Sequence, residues 1–360
     1  MREYLYQVIT GKKQGFVALV IRSVLLGLSF IYFVLVKIIL FFYGSGLLKS
    51  HRLGCKVISV GNITWGGTGK TPLVKTLVKL LIGQGRKPAV IIRGYKSNPR
   101  ADGNQLNYRL VGDEAAMLLG DLAVPVLVGR DRVGVVKRAL RDLNIDTVIL
   151  DDGFQHWRLR RNLDIVCIDA TNPFGNGLLI PRGILREPLS GLKRAGVFFL
   201  TKTDLAGGGI LELKNRLSRI NPSALMVESI HRPVGFHNIL KKDEFIPREE
   251  VSEERVCLVC SIGNPAAFEK TIVSLKLNPV LRFFFMDHHD YKKDQIDEII
   301  AACSQDNIKT IITTSKDAVR LNEHLVKINT PLKILVLKIE IVITKGKDEF
   351  LSRLSRIYSA

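Results

Sequence analysis

The chain has 360 residues, 46% of them hydrophobic and 24% charged, a folding composition that excludes wholesale disorder. Thirteen prolines among thirty glycines, with no period, exclude a collagen-like chain. Lys and Arg outnumber Asp and Glu by 53 to 34, and this net charge of +19 calls for an acidic partner: nucleic acid, anionic lipid or a phosphorylated substrate.

Residues Phe16 to Tyr43 are almost wholly apolar, broken among charged residues only by Arg22 and Lys37. The uncharged stretch Ser23 to Val36 covers about 21 Å as a helix, short of a ~30 Å hydrocarbon core. The whole run just spans if both cations snorkel. No small-x-small cleavage site follows, so a removed signal peptide is not expected. Up to Lys56 there are eight Lys/Arg and one acid, Glu3. An apolar helix with basic flanks predicts a segment, residues 1–45, that lies in or dips into an anionic membrane face. A true span and a buried core helix are the alternatives. No second apolar run of spanning length follows, which excludes a polytopic transporter.

From Lys56 the chain alternates short apolar runs with helical stretches. Lys56–Gly61 reads as a strand ending in a glycine turn, and Lys70–Gln84 as a helix stopped by Gly85. Strands follow at Lys87–Gly94, Ala123–Gly129, Thr147–Asp151, Ile165–Asp169 and Val197–Thr201, with a helix running to Asp142. This alternation implies βαβ units and a parallel sheet covered on both faces. A charged, proline-bearing stretch at Ile230–Glu254 marks a boundary. Beyond it, apolar runs at 256–259, 280–285, 310–314 and 334–337 form a smaller α/β unit. Cys257 lies in the first of these runs and Cys260 directly follows it, and five cysteines in total argue against a disulfide framework. No second pair completes a zinc site, so these two read as buried strand residues.

The segment Val60-Gly-Asn-Ile-Thr-Trp-Gly-Gly-Thr-Gly-Lys-Thr71 follows a strand and opens a helix, as a phosphate loop requires. Thr64, Trp65, Gly66, Gly67, Thr68 and Gly69 form the loop proper, whose backbone N–H groups curl around phosphate oxygens at a positive helix terminus. Lys70 reaches the β/γ-phosphates, and the Thr71 hydroxyl ligates Mg²⁺. The strict pattern has glycine at 64, where Thr64 stands. The core resembles the deviant loop of partition-type ATPases, but Trp65 occupies the position of their signature lysine. Some 80 residues on, Thr147–Asp151 is a strand ending in an acid, and Asp151 is the expected second Mg²⁺ ligand. Thr201-Lys-Thr-Asp204 resembles the base-reading tetrapeptide of GTPases, with Thr in place of Asn.

With these residues in hand, the sequence resembles the tetraacyldisaccharide 4'-kinase (lipid A 4'-kinase) family over nearly its whole length. The apolar N-terminal helix and Gly61-Asn62 with Gly-Gly-Thr-Gly-Lys-Thr-Pro carry the resemblance, as do Arg93-Gly-Tyr, Val111-Gly-Asp-Glu and Gly129-Arg-Asp-Arg. Leu150-Asp-Asp-Gly-Phe-Gln-His156, Pro181-Arg-Gly-Ile-Leu-Arg-Glu-Pro188, Ser261-Ile-Gly-Asn-Pro265, Asp287-His-His-Asp-Tyr291 and Thr314-Ser-Lys-Asp-Ala-Val319 continue it. Ala115 stands where the family usually has proline, and Ser315 departs from its Thr-Glu-Lys-Asp form.

The resemblance implies transfer of the ATP γ-phosphate to the 4'-hydroxyl of a tetraacyldisaccharide 1-phosphate at the cytoplasmic face of the bacterial inner membrane. It implies ATP and Mg²⁺, a lipid substrate and an anionic membrane surface; no recognised nucleic-acid module is present, so no nucleic acid is expected, and no protein partner is implied. Asp113 is the implied proton acceptor, supported by His288 or His289. Asp152 holds a metal-bound water or orients Lys70. Arg132 and Arg186 neutralise the transferring phosphoryl group or the substrate's 1-phosphate. Asn62, Gln155 and His156 are assigned to the substrate. The expected architecture is an α/β fold: a P-loop NTPase-like, mostly parallel sheet with helices on both faces, an N-terminal membrane-associated helix, and a second, smaller α/β domain. Its boundaries are 1–45 for the helical segment, 46–235 for the kinase core, and 236–360 for the smaller domain closing over the site. The competing reading is a partition-type ATPase or GTPase switch protein at the membrane.

Overall fold

A computed structural model of the chain describes residue 8 and residues 13–94, 113–241, 244–286, 289–325 and 331–359; for 113–114 and 322–325 it describes the backbone alone. In chain order the elements are α1 (Phe16–Gly44), β1 (Lys56–Gly61), α2 (Lys70–Gly83), β2 (Pro88–Ile92), α3 (Asp113–Asp121), β3 (Val126–Val128), α4 (Arg132–Asp142) and β4 (Thr147–Asp151). They continue with β5 (Leu163–Asp169), β6 (Val197–Thr201), α5 (Gly209–Ile220), β7 (Leu225–Asn238), β8 (Phe245–Ile246), β9 (Arg255–Cys260), α6 (Pro265–Ser274) and β10 (Asn278–Phe284). The last are α7 (Lys293–Gln305), β11 (Thr310–Thr314), α8 (Ser315–Leu325), β12 (Lys333–Lys345) and α9 (Lys347–Arg356).

By packing, the chain divides into two units. One takes the described residues of 1–93, 124–230 and 341–360, and the other those of 94–123 and 231–340. Strands β7 and β12 each pass from one unit into the other.

The first unit is an α/β layer structure with strand order β7-β6-β5-β1-β4-β2-β3, every pairing parallel. Strands β2, β4 and β6 are buried at every position, which requires cover on both faces. One apolar cluster joins Val166, Ile168, Phe198 and Leu200 to Leu213 and Leu217 of α5. Another joins Val57, Ile91 and Val148 to Val133 and Val136 of α4. Each fully buried Phe or Leu side chain contributes roughly 1.5–3 kcal/mol. The register sets Val60 of β1 beside Asp151 of β4, so the phosphate loop and the acid pair leave adjacent strands at the same level.

The second unit has the order β10-β9-β11-β12, again parallel, with β8 antiparallel to β7. Phe268 and Ile272 of α6 join one apolar cluster, while Ile296 and Ile299 of α7 join another. Cys257 and Cys260 are free and fully buried on β9. The stretch that its charge and prolines mark as a boundary contains most of β7, a strand of 14 residues. Burial of Val227, Glu228, Ser229 and Phe236, together with pairing to β8, outweighs the presence of Pro233.

Helix α1 has 29 residues and is long and apolar enough to cross a membrane. Only Ala18, Ser29 and Val36 are buried, whereas Phe16, Phe30 and Phe41 are 81%, 67% and 66% exposed. Tyr32 and Phe33 pack against the core cluster that contains Phe154 and Leu185. At the end of the helix, Tyr43 meets Trp157 with ring centroids 5.9 Å apart. Residues 29, 32, 33, 36 and 43 lie on one helical stripe, so α1 shows one face to the protein and an apolar face outward.

Candidate active site

Strand β1 ends at Gly61, where a Cβ would stand 2.5 Å from the Cβ and 2.7 Å from the backbone N of Phe154. Glycine therefore lets the start of the phosphate loop close against the turn that follows β4. The loop ends at Gly69, whose φ of 87° is a left-handed conformation that suits glycine, and α2 begins at Lys70. The loop is tied on two sides. The Trp65 N–H donates to the Ile184 carbonyl (2.6 Å), and Thr64 bridges Leu185 in antiparallel fashion. The Thr201 hydroxyl at the end of β6 donates to the Thr68 carbonyl (3.0 Å). The Trp65 side chain itself is 71% exposed.

Asp152 is the electrostatic centre. Its backbone is left-handed (φ 50°), uncommon without glycine, which turns its carboxylate away from the strand direction. Arg186 Nη1 donates to both carboxylate oxygens at 2.8 Å, and Lys70 Nζ lies 3.6 Å away. Burial acts to raise the Asp152 pKa, but Lys70, Arg186 and Arg132 outweigh it and hold the carboxyl below its ordinary range. Two cations and one carboxylate thus stand at the mouth of the loop, a local excess of positive charge suited to phosphate.

Asp151 is 1% exposed at the strand end, and its Oδ1 accepts from the Asp152 N–H (3.0 Å). Arg132 is 2% exposed; its two terminal nitrogens donate to the carbonyls of Asp152 (3.1 Å) and Asp151 (2.9 Å). Those bonds make Arg132 a clamp on the backbone of the acid pair. Among the described residues, no three His, Cys, Asp or Glu side chains form a metal cage. A Mg²⁺ carried by nucleotide phosphates needs only one or two protein oxygens, and Asp151 with the Thr71 hydroxyl at the first turn of α2 is a donor set that fits.

Asn62 is fully buried, and among the described residues neither its amide oxygen nor its nitrogen has a hydrogen-bond partner. Beside it, Gln155 Nε2 donates to the Asn62 carbonyl and to Glu187 Oε1, both at 2.9 Å. Glu187 is fully buried and accepts from Arg194 Nη2 at 3.0 and 2.8 Å; the Arg194 guanidinium lies 4.5 Å over the Phe154 ring. The sequence motifs assign no role to Glu187 or Arg194, although Glu187 follows Arg186 directly. His156 has its pKa lowered to about 4 by burial and then by Arg132, Arg161 and Arg158, so it is neutral at physiological pH.

The proposed residues of the first unit therefore converge: Lys70, Asp152 and Arg186 in direct contact, Arg132 on the acid backbone, and Gln155 on Asn62. Lys202, of the GTPase-like tetrapeptide, instead forms an ion pair with Asp169. In the second unit His289 stacks on Phe285 with centroids 4.6 Å apart, and its Nε2 lies 2.9 Å from Gln295 Oε1. The His289 carbonyl accepts from Arg320 (2.9 Å), and Tyr291 donates to the buried Asp317 (3.0 Å). His288 and the Asp113 side chain lie outside the described residues; Asp113 opens α3.

Three comparisons bear on this arrangement. The family described as "Tetraacyldisaccharide-1-P 4'-kinase" matches residues 21–358. A tetraacyldisaccharide 4'-kinase of Halothermothrix orenii is 36% identical over 362 residues, covering 95% of this chain and 94% of the relative. One from Anaeromyxobacter sp. (strain Fw109-5) is 39% identical over 288 residues, covering 78% and 77%. Among solved structures, LpxK from Aquifex aeolicus in complex with ATP superposes with a TM-score of 0.72 at 24% identity, covering 94% of this chain and 99% of that one.

Proposed function

The chain belongs to the tetraacyldisaccharide-1-phosphate 4'-kinase family, and from that premise we propose how its residues carry out the reaction. It is an ATP-dependent kinase that phosphorylates the 4'-hydroxyl of a tetraacyldisaccharide 1-phosphate, a lipid A precursor. A bond forms between the γ-phosphorus and the 4'-oxygen, the bond to the β–γ bridging oxygen breaks, ADP departs, and the hydroxyl proton passes to a base. The switch-protein alternative is not favoured, because the family match runs from residue 21 to 358.

The observation that carries the reading is the convergence of Lys70 and Arg186 on Asp152 beside the phosphate loop. Loop N–H groups other than those of Trp65 and Thr68, which donate to the Ile184 and Gly66 carbonyls, receive phosphate oxygens, and Lys70 turns from Asp152 toward the β/γ-phosphates. Arg186 stabilises charge on the transferring group. Thr71 and Asp151 hold Mg²⁺, which when bound neutralises phosphate charge. Asn62, whose buried amide has no partner among the described residues, and Gln155, whose nitrogen is already bonded, offer hydrogen bonds to the disaccharide. Asp113 takes the hydroxyl proton. His289 is engaged by Gln295 and Phe285, which favours His288 as its support.

The outward face of α1 suits a lipid surface. Its protein-facing stripe from Ser29 to Tyr43 occupies about 21 Å of helix, and the remainder is too short to cross a ~30 Å core. A helix lying in the cytoplasmic face of the inner membrane follows, next to a lipid substrate. Phosphate in lipid and nucleotide then accounts for the basic charge without nucleic acid. Labelled ATP with tetraacyldisaccharide 1-phosphate in detergent micelles tests the reading: the wild type transfers label and Lys70→Ala does not. No transfer by the wild type, or full transfer by Lys70→Ala, overturns it.

A further inference from the structure

Two hydroxyls on the protein-facing stripe of α1 do something that lipid binding does not require. Ser29 Oγ donates to the Leu179 carbonyl (2.8 Å) and accepts from the Arg182 N–H (2.9 Å). Tyr32 Oη donates to the carbonyl of Arg186 (2.6 Å). Leu or Phe at these positions would pack as well against the apolar core, so the hydroxyls are explained by the backbone atoms they reach. All of those atoms belong to one segment, residues 179–186.

The opposite edge of that segment holds the phosphate loop. The Arg186 N–H donates to the Ile63 carbonyl (2.8 Å), and Trp65 donates to Ile184. The Arg186 backbone is thus bonded by Tyr32 at its carbonyl and by β1's extension at its amide, while its guanidinium grips Asp152. With both backbone groups held, the Cα–Cβ direction of the side chain is fixed, and Asp152 receives its far end. The apolar helix and the phosphate loop are two sides of a single hydrogen-bonded layer.

We propose that Tyr32 and Ser29 are positioning residues for phosphoryl transfer, and that the seating of α1 sets the placement of the Arg186 guanidinium. This link rests on the kinase reading above. It assigns to the membrane-facing helix a part in turnover that is separate from attachment.

The test uses the full-length chain in detergent micelles. Tyr32→Phe keeps the ring in its apolar site and removes only the hydroxyl. We expect kcat to fall about fivefold, as loss of one such hydrogen bond implies, with KM for ATP and membrane partition unchanged and the melting temperature lowered by only about 2–4 °C. In an Arg186→Lys background the same change should alter kcat less than twofold, because the positioned group has gone. Ser29→Ala should behave in the same way and serves if Tyr32→Phe fails to fold. Amide hydrogen exchange over residues 182–187 should quicken in either variant, a readout that needs no turnover and separates failure of this link from failure of the kinase reading. Unchanged exchange, unchanged kcat, or an undiminished loss in the Arg186→Lys background overturns the proposal.

Discussion

Asp152 combines a left-handed backbone with a carboxylate between Lys70 and Arg186, and the two demands separate by substitution. Asparagine tolerates the backbone but removes the charge. Asp152→Asn should fold and lose about 100-fold in turnover; Asp152→Ala should also melt lower, by the roughly 1 kcal/mol that a left-handed alanine costs. Labelled-ATP transfer and thermal melts check both. His156 provides a pH signature. Its folded pKa, about 4, lies below the ordinary 6.5. Its contribution is therefore complete above 6.5 and is lost as pH falls toward 4, where the unfolded chain binds a proton that the native chain refuses. The stability gap between the wild type and His156→Gln should narrow across that window, as read by denaturant melts at stepped pH. Lys70, Asp151 and Asp152 were legible because the chemistry of a phosphate loop dictates residue type and order. Glu187 and Arg194 were not, because their roles depend on partners distant in sequence: Gln155, Phe154 and the buried Asn62 backbone.

The strand–loop–helix element of β1 and α2 makes two different uses of glycine. At Gly61 the added Cβ meets backbone at 2.7 Å, so neither side can yield. Gly61→Ala should destabilise the protein by about 2 kcal/mol or more, visible as a lower melting temperature. At Gly67 the same Cβ meets nothing within 4 Å, and its backbone is not left-handed. Gly67→Ala should melt like the wild type but raise KM for ATP, because the open space is where phosphate approaches; an unchanged KM would remove Gly67 from the cradle. The β1–α2 element is legible because periodicity and motif agree. Strand β7 is not, since Pro233 and its charged neighbours mimic a linker until pairing with β8 supplies the missing context. The bonds from α1 to Leu179 and Arg186 span some 150 residues of sequence, and no local pattern announces them.

On the scale of the molecule, the membrane attachment proposed above rests on the +19 charge and α1 together. Deleting α1 would also strip Tyr32 and Phe33 from the core, so truncation confounds attachment with folding. Substituting the outward Leu19, Leu26 and Phe30 by Gln leaves the inner stripe intact. That variant should keep its melting temperature yet leave the membrane fraction in sedimentation, and wild-type binding to anionic vesicles should weaken as salt rises from 0.1 to 1 M. The two interleaved units have a consequence for synthesis. The first unit holds the phosphate loop in its first segment yet is completed by α9, made long after it. Phe350 there is fully buried, with its ring 5.8 Å from Phe199, and Tyr358 bonds Thr147 (2.7 Å) beneath the Arg86 guanidinium. A nascent chain that stops before Lys347 carries every residue proposed to bind nucleotide but leaves Phe199 uncovered. Premature termination therefore yields a sticky fragment for quality-control proteases and not a partial enzyme.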